Sequence, residues 1–284
     1  MKILVTGASG NVGKATLAAL SQHISDKLQV FAASRHKEAK QDSRPFELVY
    51  FDFAKPESYL KQLSQYDSIL LLRPPQLADT EKYFKPFTEV LQSHQHVVFL
   101  SVQGAEKMSW VPHHKIEKLL QHCEASFTFL RPAYFMQNFE GDLQEDLMTR
   151  HRIYLPAGNS KFNLVDVQDI GKVAAKVLIQ PKVHQQQAYE LTGNQNLTFF
   201  EMADVITKVT GVKINYQSPN LLKFYWTKKR EGVPHGKILV MIMLHFLPRL
   251  SKRDPQKSNW IMKITGEEPA SFADYVTREW KGRI

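Results

Sequence analysis

The 284-residue sequence contains a single cysteine, Cys123, so no intrachain disulfide can form. Without a disulfide framework the expected setting is a reducing one, and the expected location is cytoplasmic. No stretch reaches the ~18 uninterrupted apolar residues that a membrane-spanning helix needs, so no span is expected. Met1-Lys2-Ile3-Leu4-Val5 runs straight into a glycine-rich turn, which leaves no room for the apolar region and cleavage site of a signal peptide. Internal repeats, low-complexity segments, zinc-finger spacings and arginine-rich arms are also missing. Acidic residues are in deficit: 37 Lys and Arg stand against 28 Asp and Glu, a net charge of +9. The excess is spread along the chain, with modest concentrations at Lys228-Lys229-Arg230 and from Arg249 to Arg253. A basic surface suited to small anionic ligands is expected, and no nucleic-acid partner.

What is present is enough apolar residue, 43%, for a substantial core. Short continuous apolar runs recur at Ile3–Val5, Leu28–Ala33, Phe46–Phe51, Ser68–Leu72, Val97–Leu100 and Phe127–Leu130. Continuous rather than alternating runs suit strands covered on both faces. The gaps leave room for crossover helices, as over Val12–Leu20 and Tyr83–Ser93. The expected fold is α/β, a doubly wound parallel sheet of the NAD(P)-binding Rossmann type, with a smaller C-terminal α/β substrate lobe. The boundaries read as 1–155 for the nucleotide-binding part, with 163–192 returning to it, and 132–162 plus 193–284 for the lobe. Asn163–Asp166 and Tyr189–Thr192 read as further strands, and Val167–Leu178 as a helix. Thr198 with Glu201 forms a capping-box pattern that opens a helix to Thr210. Ile238–Leu247 is apolar on every side and is expected to be a buried helix. A pocket wall, a homodimer contact and an interfacial membrane contact are its alternatives.

Thr6-Gly7-Ala8-Ser9-Gly10-Asn11-Val12-Gly13 follows a strand and opens a helix, the context that gives a glycine motif its meaning. Gly7 and Gly10 allow a tight turn and close approach of a pyrophosphate. Gly13 allows close packing of helix on strand. The helix N-terminus offers unpaired N–H groups to the phosphates. At the end of the second strand, where NAD-selective folds carry an acid, stand Ser34 and Arg35, with no acid between Leu28 and Lys37. Arg35 can form a two-pronged contact with a 2′-phosphate, with Ser34 and Lys37 in support, so NADPH is expected in preference to NADH. Asp52, with Phe53 beside it, is placed to bond an adenine amino group or to cap a turn. Leu72 and Arg73 end the fourth strand, where a loop passes close to a dinucleotide. Arg73 can serve a phosphate, an acidic substrate or a structural salt bridge.

Several further segments resemble the NmrA-like branch of the atypical short-chain dehydrogenase/reductases. They are Thr128–Asn138 (T-x-L-R-P-x-x-F-x-x-N in outline), Val165–Gly171 (V-D-V-x-D-I-G), the Leu191-Thr192-Gly193 run with Leu197-Thr198 and Glu201-Met202-Ala203, and Thr265–Phe272. The resemblance extends from Met1 to about Tyr275. It implies NAD(P)H-dependent reductases of quinones, azo dyes and triphenylmethane dyes, or redox-sensing regulators that bind the cofactor without turning it over. The wider superfamily uses Tyr-x-x-x-Lys with a serine on the fifth strand. Ser101 stands at the serine's place and Lys115 at the lysine's, but Val111 replaces the tyrosine. Sugar-nucleotide epimerisation and alcohol dehydrogenation thereby lose their acid/base group and rank low. Hydride transfer to a flat electrophile needs less, because the acceptor is already electron-poor. Its proton then comes from water, His113, His114 or Lys115, and Lys115 reads best as a ribose anchor. Val102 and Gln103 are expected to flank the nicotinamide, with Gln103, Tyr134, Phe135 and Asn138 on the small-molecule substrate. The leading reading is an NADPH-dependent reductase, and the alternative is a non-catalytic NADP(H) sensor.

Overall fold

The computed structural model describes residues 1–36, 45–250 and 254–284. In chain order the strands are β1 (Lys2–Val5), β2 (Gln29–Ser34), β3 (Glu47–Tyr50), β4 (Ser68–Leu71), β5 (His96–Leu100), β6 (Ser126–Pro132), β7 (Tyr134–Phe135), β8 (Arg152–Tyr154), β9 (Lys161–Val165), β10 (Gln187–Leu191), β11 (Asn196–Thr198) and β12 (Asn215–Gln217). The helices are α1 (Asn11–Ser21), α2 (Thr80–Tyr83), α3 (Lys85–Glu89), α4 (Pro112–Gln121), α5 (Gln144–Arg150), α6 (Val167–Ile179), α7 (Pro181–His184), α8 (Phe199–Thr210), α9 (Leu221–Arg230), α10 (His235–Phe246), α11 (Trp260–Thr265) and α12 (Phe272–Glu279). The chain divides into two compact units. The first comprises Met1–Ala133, Val167–Leu191 and Asn259–Glu268, and the second Tyr134–Asp166, Thr192–Ser258 and Pro269–Ile284.

The first unit is built on a seven-stranded sheet of order β10-β6-β5-β4-β1-β2-β3, parallel throughout. This is the doubly wound α/β fold. The strand order reverses between β1 and β4, and the crevice at such a reversal is where this architecture binds ligands. Ile3, Leu4, Val5, Ile69, Leu70, Leu71, Val97, Val98 and Phe99 are all fully buried, as strands covered on both faces require. One face carries an aromatic cluster of Phe51, Phe53, Tyr59, Phe84, Phe87 and Phe99. On α6, a Cβ at Gly171 would lie 2.6 Å from the Ala15 backbone, so the two helices meet at van der Waals contact only because position 171 has no side chain.

The helix expected over Tyr83–Ser93 is instead the two short helices α2 and α3. Pro86 explains the break, because it sits in the first turn of α3 and has no N–H to continue a longer helix.

In the second unit β7, β9 and β11 form a three-stranded sheet, and β8 pairs with β12. The expected strand at 163–166 is β9, but it joins this small sheet rather than the large one. Asn163 accounts for its place: its side chain accepts from Gly193 N–H at 2.8 Å and donates to the Gly193, Gln195 and Asn196 oxygens. Helix α8 opens with the full capping box, Thr198 accepting from the Glu201 backbone and Glu201 from that of Thr198. Helix α10 departs from expectation. Only Ile238, Met241 and His245, one stripe at helical spacing, are buried, while Leu239, Val240, Leu244 and Leu247 are exposed.

Candidate functional site

Gly7 closes the turn after β1 in the left-handed region, at φ +59°, where glycine avoids the Cβ clash. Gly10 N–H donates to Gly7 carbonyl at 2.9 Å, which shapes the turn into a cradle. A Cβ at Gly13 would sit 2.2 Å from the same carbonyl oxygen, well inside contact distance. Gly7, Ser9, Gly10 and Asn11 are exposed, whereas Val12 is buried beneath them. Gly10 caps α1 without any side-chain bond, and no acid lies in the first turn. The leading N–H groups are thus free to meet an anion. Thr6 does not face this cradle. Its hydroxyl donates to Leu70 carbonyl and accepts from Leu72 N–H, both at 2.8 Å, tying β1 to β4. The Leu72 side chain backs Gly7, 3.0 Å from where a Cβ would be.

At the end of β2, Arg35 is exposed and forms no ion pair among the described residues. The Ser34 hydroxyl accepts from His36 N–H at 3.1 Å, a local turn that presents the arginine. Lys37 lies outside the described residues. The Asp52 carboxylate accepts from Ala54 N–H at 3.0 Å, which is the turn-capping role, and Phe53 is buried in the aromatic cluster.

Leu71 pairs with Phe99 across β4 and β5, and Arg73 and Ser101 each follow two residues beyond that pair, in the loops that leave the adjacent strand ends. Leu72 faces the glycine turn, and alternation sends Arg73 to the other side. There its guanidinium donates through one terminal nitrogen to the Pro74, Pro75 and Leu77 carbonyls. No carboxylate pairs with it among the described residues, so the structural salt bridge is not its role. Its Nε and the Ser101 hydroxyl are both buried without a hydrogen-bond partner. Burial lowers the Arg73 pKa, which marks the cost of a half-buried cation lacking a counter-charge.

His113 and Lys115 separate in space, whereas His114 lines the same groove as Lys115. His113 stacks on Phe99, with ring centroids 6.0 Å apart. Burial, with Arg73 nearby, pulls its pKa to about 4, so it is neutral at pH 7. The expectation of a proton donor near the ordinary histidine value therefore fails at this position. His114 Nδ1 lies 2.9 Å from Ala105 carbonyl. Lys115 is exposed on a groove shared with Asp79, Thr80, Lys118 and His122, about 200° around α4 from His113. Val111, in the tyrosine's place, is buried and supplies no polar atom.

Gln103 is engaged by the Glu190 carboxylate, whose pKa burial raises. Its backbone N–H donates to Pro132 carbonyl at 3.1 Å, and Val102 carbonyl accepts from Ala105 N–H. Behind this loop Arg131 makes a two-pronged bond to Glu117 at 2.9 and 2.7 Å and a third contact to Glu106 at 3.0 Å. The arginine of the Leu-Arg-Pro segment is therefore a tie between β6, α4 and the 105–107 turn.

In the second unit, Tyr134 packs edge-on to Phe162, Phe199 and His245, and its phenol meets His245 Nε2 at 3.0 Å and the Asn138 side chain. Both Tyr134 and Asn138 are thus engaged within their own unit. Phe135 is half-buried and forms no ring pair among the described residues. Sequence reasoning assigned no role to Glu117, Gly171 or the Arg131 ion-pair cluster. Only the quoted segments containing Arg131 and Gly171 signalled them.

The sequence profile of the NmrA-like family matches residues 1–227. The prestalk A differentiation protein A of Dictyostelium discoideum is 27% identical, covering 97% of this chain and 91% of that protein. The NADP(H) complex of triphenylmethane reductase from Citrobacter sp. superposes with a TM-score of 0.82 at 20% identity, over 98% of this chain and 99% of that one. The NADPH complex of a quinone oxidoreductase from Escherichia coli gives 0.83 at 18% identity, over 97% and 99%. At these identities the two structures establish a shared fold.

Proposed function

The chain belongs to the NmrA-like family, and on that premise we propose that it is an NADPH-dependent reductase of flat electrophilic acceptors, quinones or dye-like compounds. The observation that carries this reading is the combination of an open glycine cradle with an exposed Arg35 at the end of β2 that forms no ion pair among the described residues. The cradle takes a pyrophosphate against the α1 N-terminus, and Arg35 takes the 2′-phosphate that distinguishes NADPH. Bound NADPH supplies the hydride. The chain's own contribution is to bind, orient and stabilise charge. Arg73 and the Ser101 hydroxyl offer buried donors to an acceptor oxygen as negative charge develops on it, the role that Val111 cannot fill. His113 is neutral at pH 7 and a poor proton donor, which leaves water, His114 or Lys115 to supply the proton. What the Citrobacter and Escherichia coli proteins are named for, dye and quinone reduction, supports the choice of acceptor.

The absence of a phenol at position 111 also supports a second reading, an NADP(H) sensor without turnover. The two separate in one cuvette, in which NADPH and NADH are titrated by intrinsic fluorescence and menadione is then added while absorbance at 340 nm is followed. Tight NADPH binding with prompt loss of absorbance is expected. Tight binding with a flat trace across a panel of quinones and azo dyes would leave the sensor standing. Failure to bind either nucleotide overturns both.

A further inference from the structure

We propose that the outer face of α9 and α10 seats this protein on an anionic membrane surface. Helix α10 already buries one stripe, Ile238, Met241 and His245, in its own unit. Its opposite face is also apolar: Leu239, Val240, Leu244 and Leu247 are each close to half exposed, and Leu250 is 70% exposed. On α9, Leu222 and Trp226, one turn apart, are 74% and 57% exposed. Of the thirteen exposed large hydrophobic residues among those described, seven fall between 222 and 250. Single exposed leucines need no explanation, but a concentration of this kind marks a contact surface.

Charge selects the partner. Residues 220–250 hold six Lys and Arg against the single acid Glu231, a net +5 of the chain's +9. Glu231 is already committed to Arg150, Arg152 and Lys228. Lys223, Lys229, Arg230 and Arg249 are exposed and form no ion pair among the described residues. Lys223, Lys229 and Arg230 share the outer side of α9 with Leu222 and Trp226. Exposed aliphatic residues together with unpaired basic residues and an indole are the composition of helices lying in a lipid headgroup layer. A nucleic acid offers no partner for the exposed aliphatic residues. A second copy docked by twofold symmetry would press one basic patch against another. No helix is long and apolar enough to cross the bilayer, so the contact is in-plane.

The test is flotation of the full chain with vesicles of phosphatidylcholine alone and of phosphatidylcholine with phosphatidylglycerol, at low and high salt. Partition onto the anionic vesicles is expected to exceed that onto neutral ones by about tenfold and to fall with salt. Lys229→Gln and Arg230→Gln are each expected to weaken it roughly fivefold. Leu239→Ser combined with Leu244→Ser should abolish it, with circular dichroism and gel filtration reporting an intact fold. Trp226 fluorescence should shift to the blue on anionic vesicles, and Trp226→Phe should remove that shift, a readout that does not depend on the leucine variant folding. Absence of partition onto anionic vesicles overturns the proposal. So does partition that survives loss of the leucines, which would leave a purely electrostatic surface. A salt-resistant dimer that quenches Trp226 accessibility without lipid would assign the face to a second copy instead.

Discussion

A single methyl group at position 13 would close the glycine cradle. Placed 2.2 Å from Gly7 carbonyl, it forces either the turn or α1 to move. Gly13→Ala is therefore expected to weaken NADPH binding by about a hundredfold, consistent with ~3 kcal/mol of displaced contacts, and calorimetric titration reads it directly. On the proposed reading, Arg35 acts on selectivity alone. Arg35→Ala should weaken NADPH roughly tenfold or more while leaving NADH affinity unchanged, as expected for one lost charge-assisted fork. Equal losses for both nucleotides would place Arg35 away from the 2′-phosphate. Features set by local chain geometry were legible in the sequence: the glycine turn with Gly7 in the left-handed region, and the packing that leaves no room for a side chain at Gly13. Residues whose role depends on distant neighbours were not. Nothing near His113 in the sequence announces Phe99 beneath its ring or Arg73 beside it, and these are what hold it neutral. Thr6 looked like part of the cradle, yet its hydroxyl is bound to β4, sixty-odd residues away.

Elements inherit the same division. Strands β1, β4 and β5 of the first half were readable because burial on both faces writes continuous apolar runs, whereas β3 at the sheet edge has no buried residue and showed only through its apolar side chains. The capping box of α8 was readable because its signal spans four residues. The pairing partner of β9 was not, because it rests on Asn163 reaching a loop thirty residues on. Arg131 shows what such non-local ties contribute. It neutralises Glu117, which is only 3% exposed, so Arg131→Met leaves a buried carboxylate without its partner. A loss of about 3–5 kcal/mol is expected in urea unfolding, and Glu117→Gln placed on that background should recover part of it. If Arg131→Met costs no more than a surface substitution, the ion-pair cluster is not what fastens β6 to α4. By contrast Thr198→Ala removes one cap and should cost about 1 kcal/mol, with NADPH affinity untouched.

At the scale of the whole molecule, the succession of apolar runs and helix-sized gaps gave the fold class, but it gave neither the segment 259–268 that returns to the first unit nor the half-exposed state of α10. Both are decided by which stripe of a helix finds a seat, and apolar content does not encode that choice. The arrangement does have one global consequence. Each unit encloses a histidine held neutral: His96, between Ser126 and Thr128 in the first, and His245, between Tyr134 and Met241 carbonyl in the second. Burial pulls each from the ordinary 6.5 to about 4, as it does the half-buried His113. Since the folded pKa lies below the unfolded one, the unfolded chain takes up protons first as pH falls. The stabilisation is therefore fully present above about 6.5 and is lost progressively toward 4. For the two fully enclosed rings the loss is on the order of 3 kcal/mol each, a large share of the ~5–15 kcal/mol that usually separates folded from unfolded states. Urea midpoints measured from neutral pH downward should fall steeply through this window in both units, with a slope corresponding to uptake of two to three protons on unfolding. His96→Gln should flatten the dependence in the first unit and leave the second unchanged. A midpoint that stayed level between pH 6.5 and 4.5 would mean that water reaches these rings in solution, and that the two cores are less tightly closed than their packing indicates.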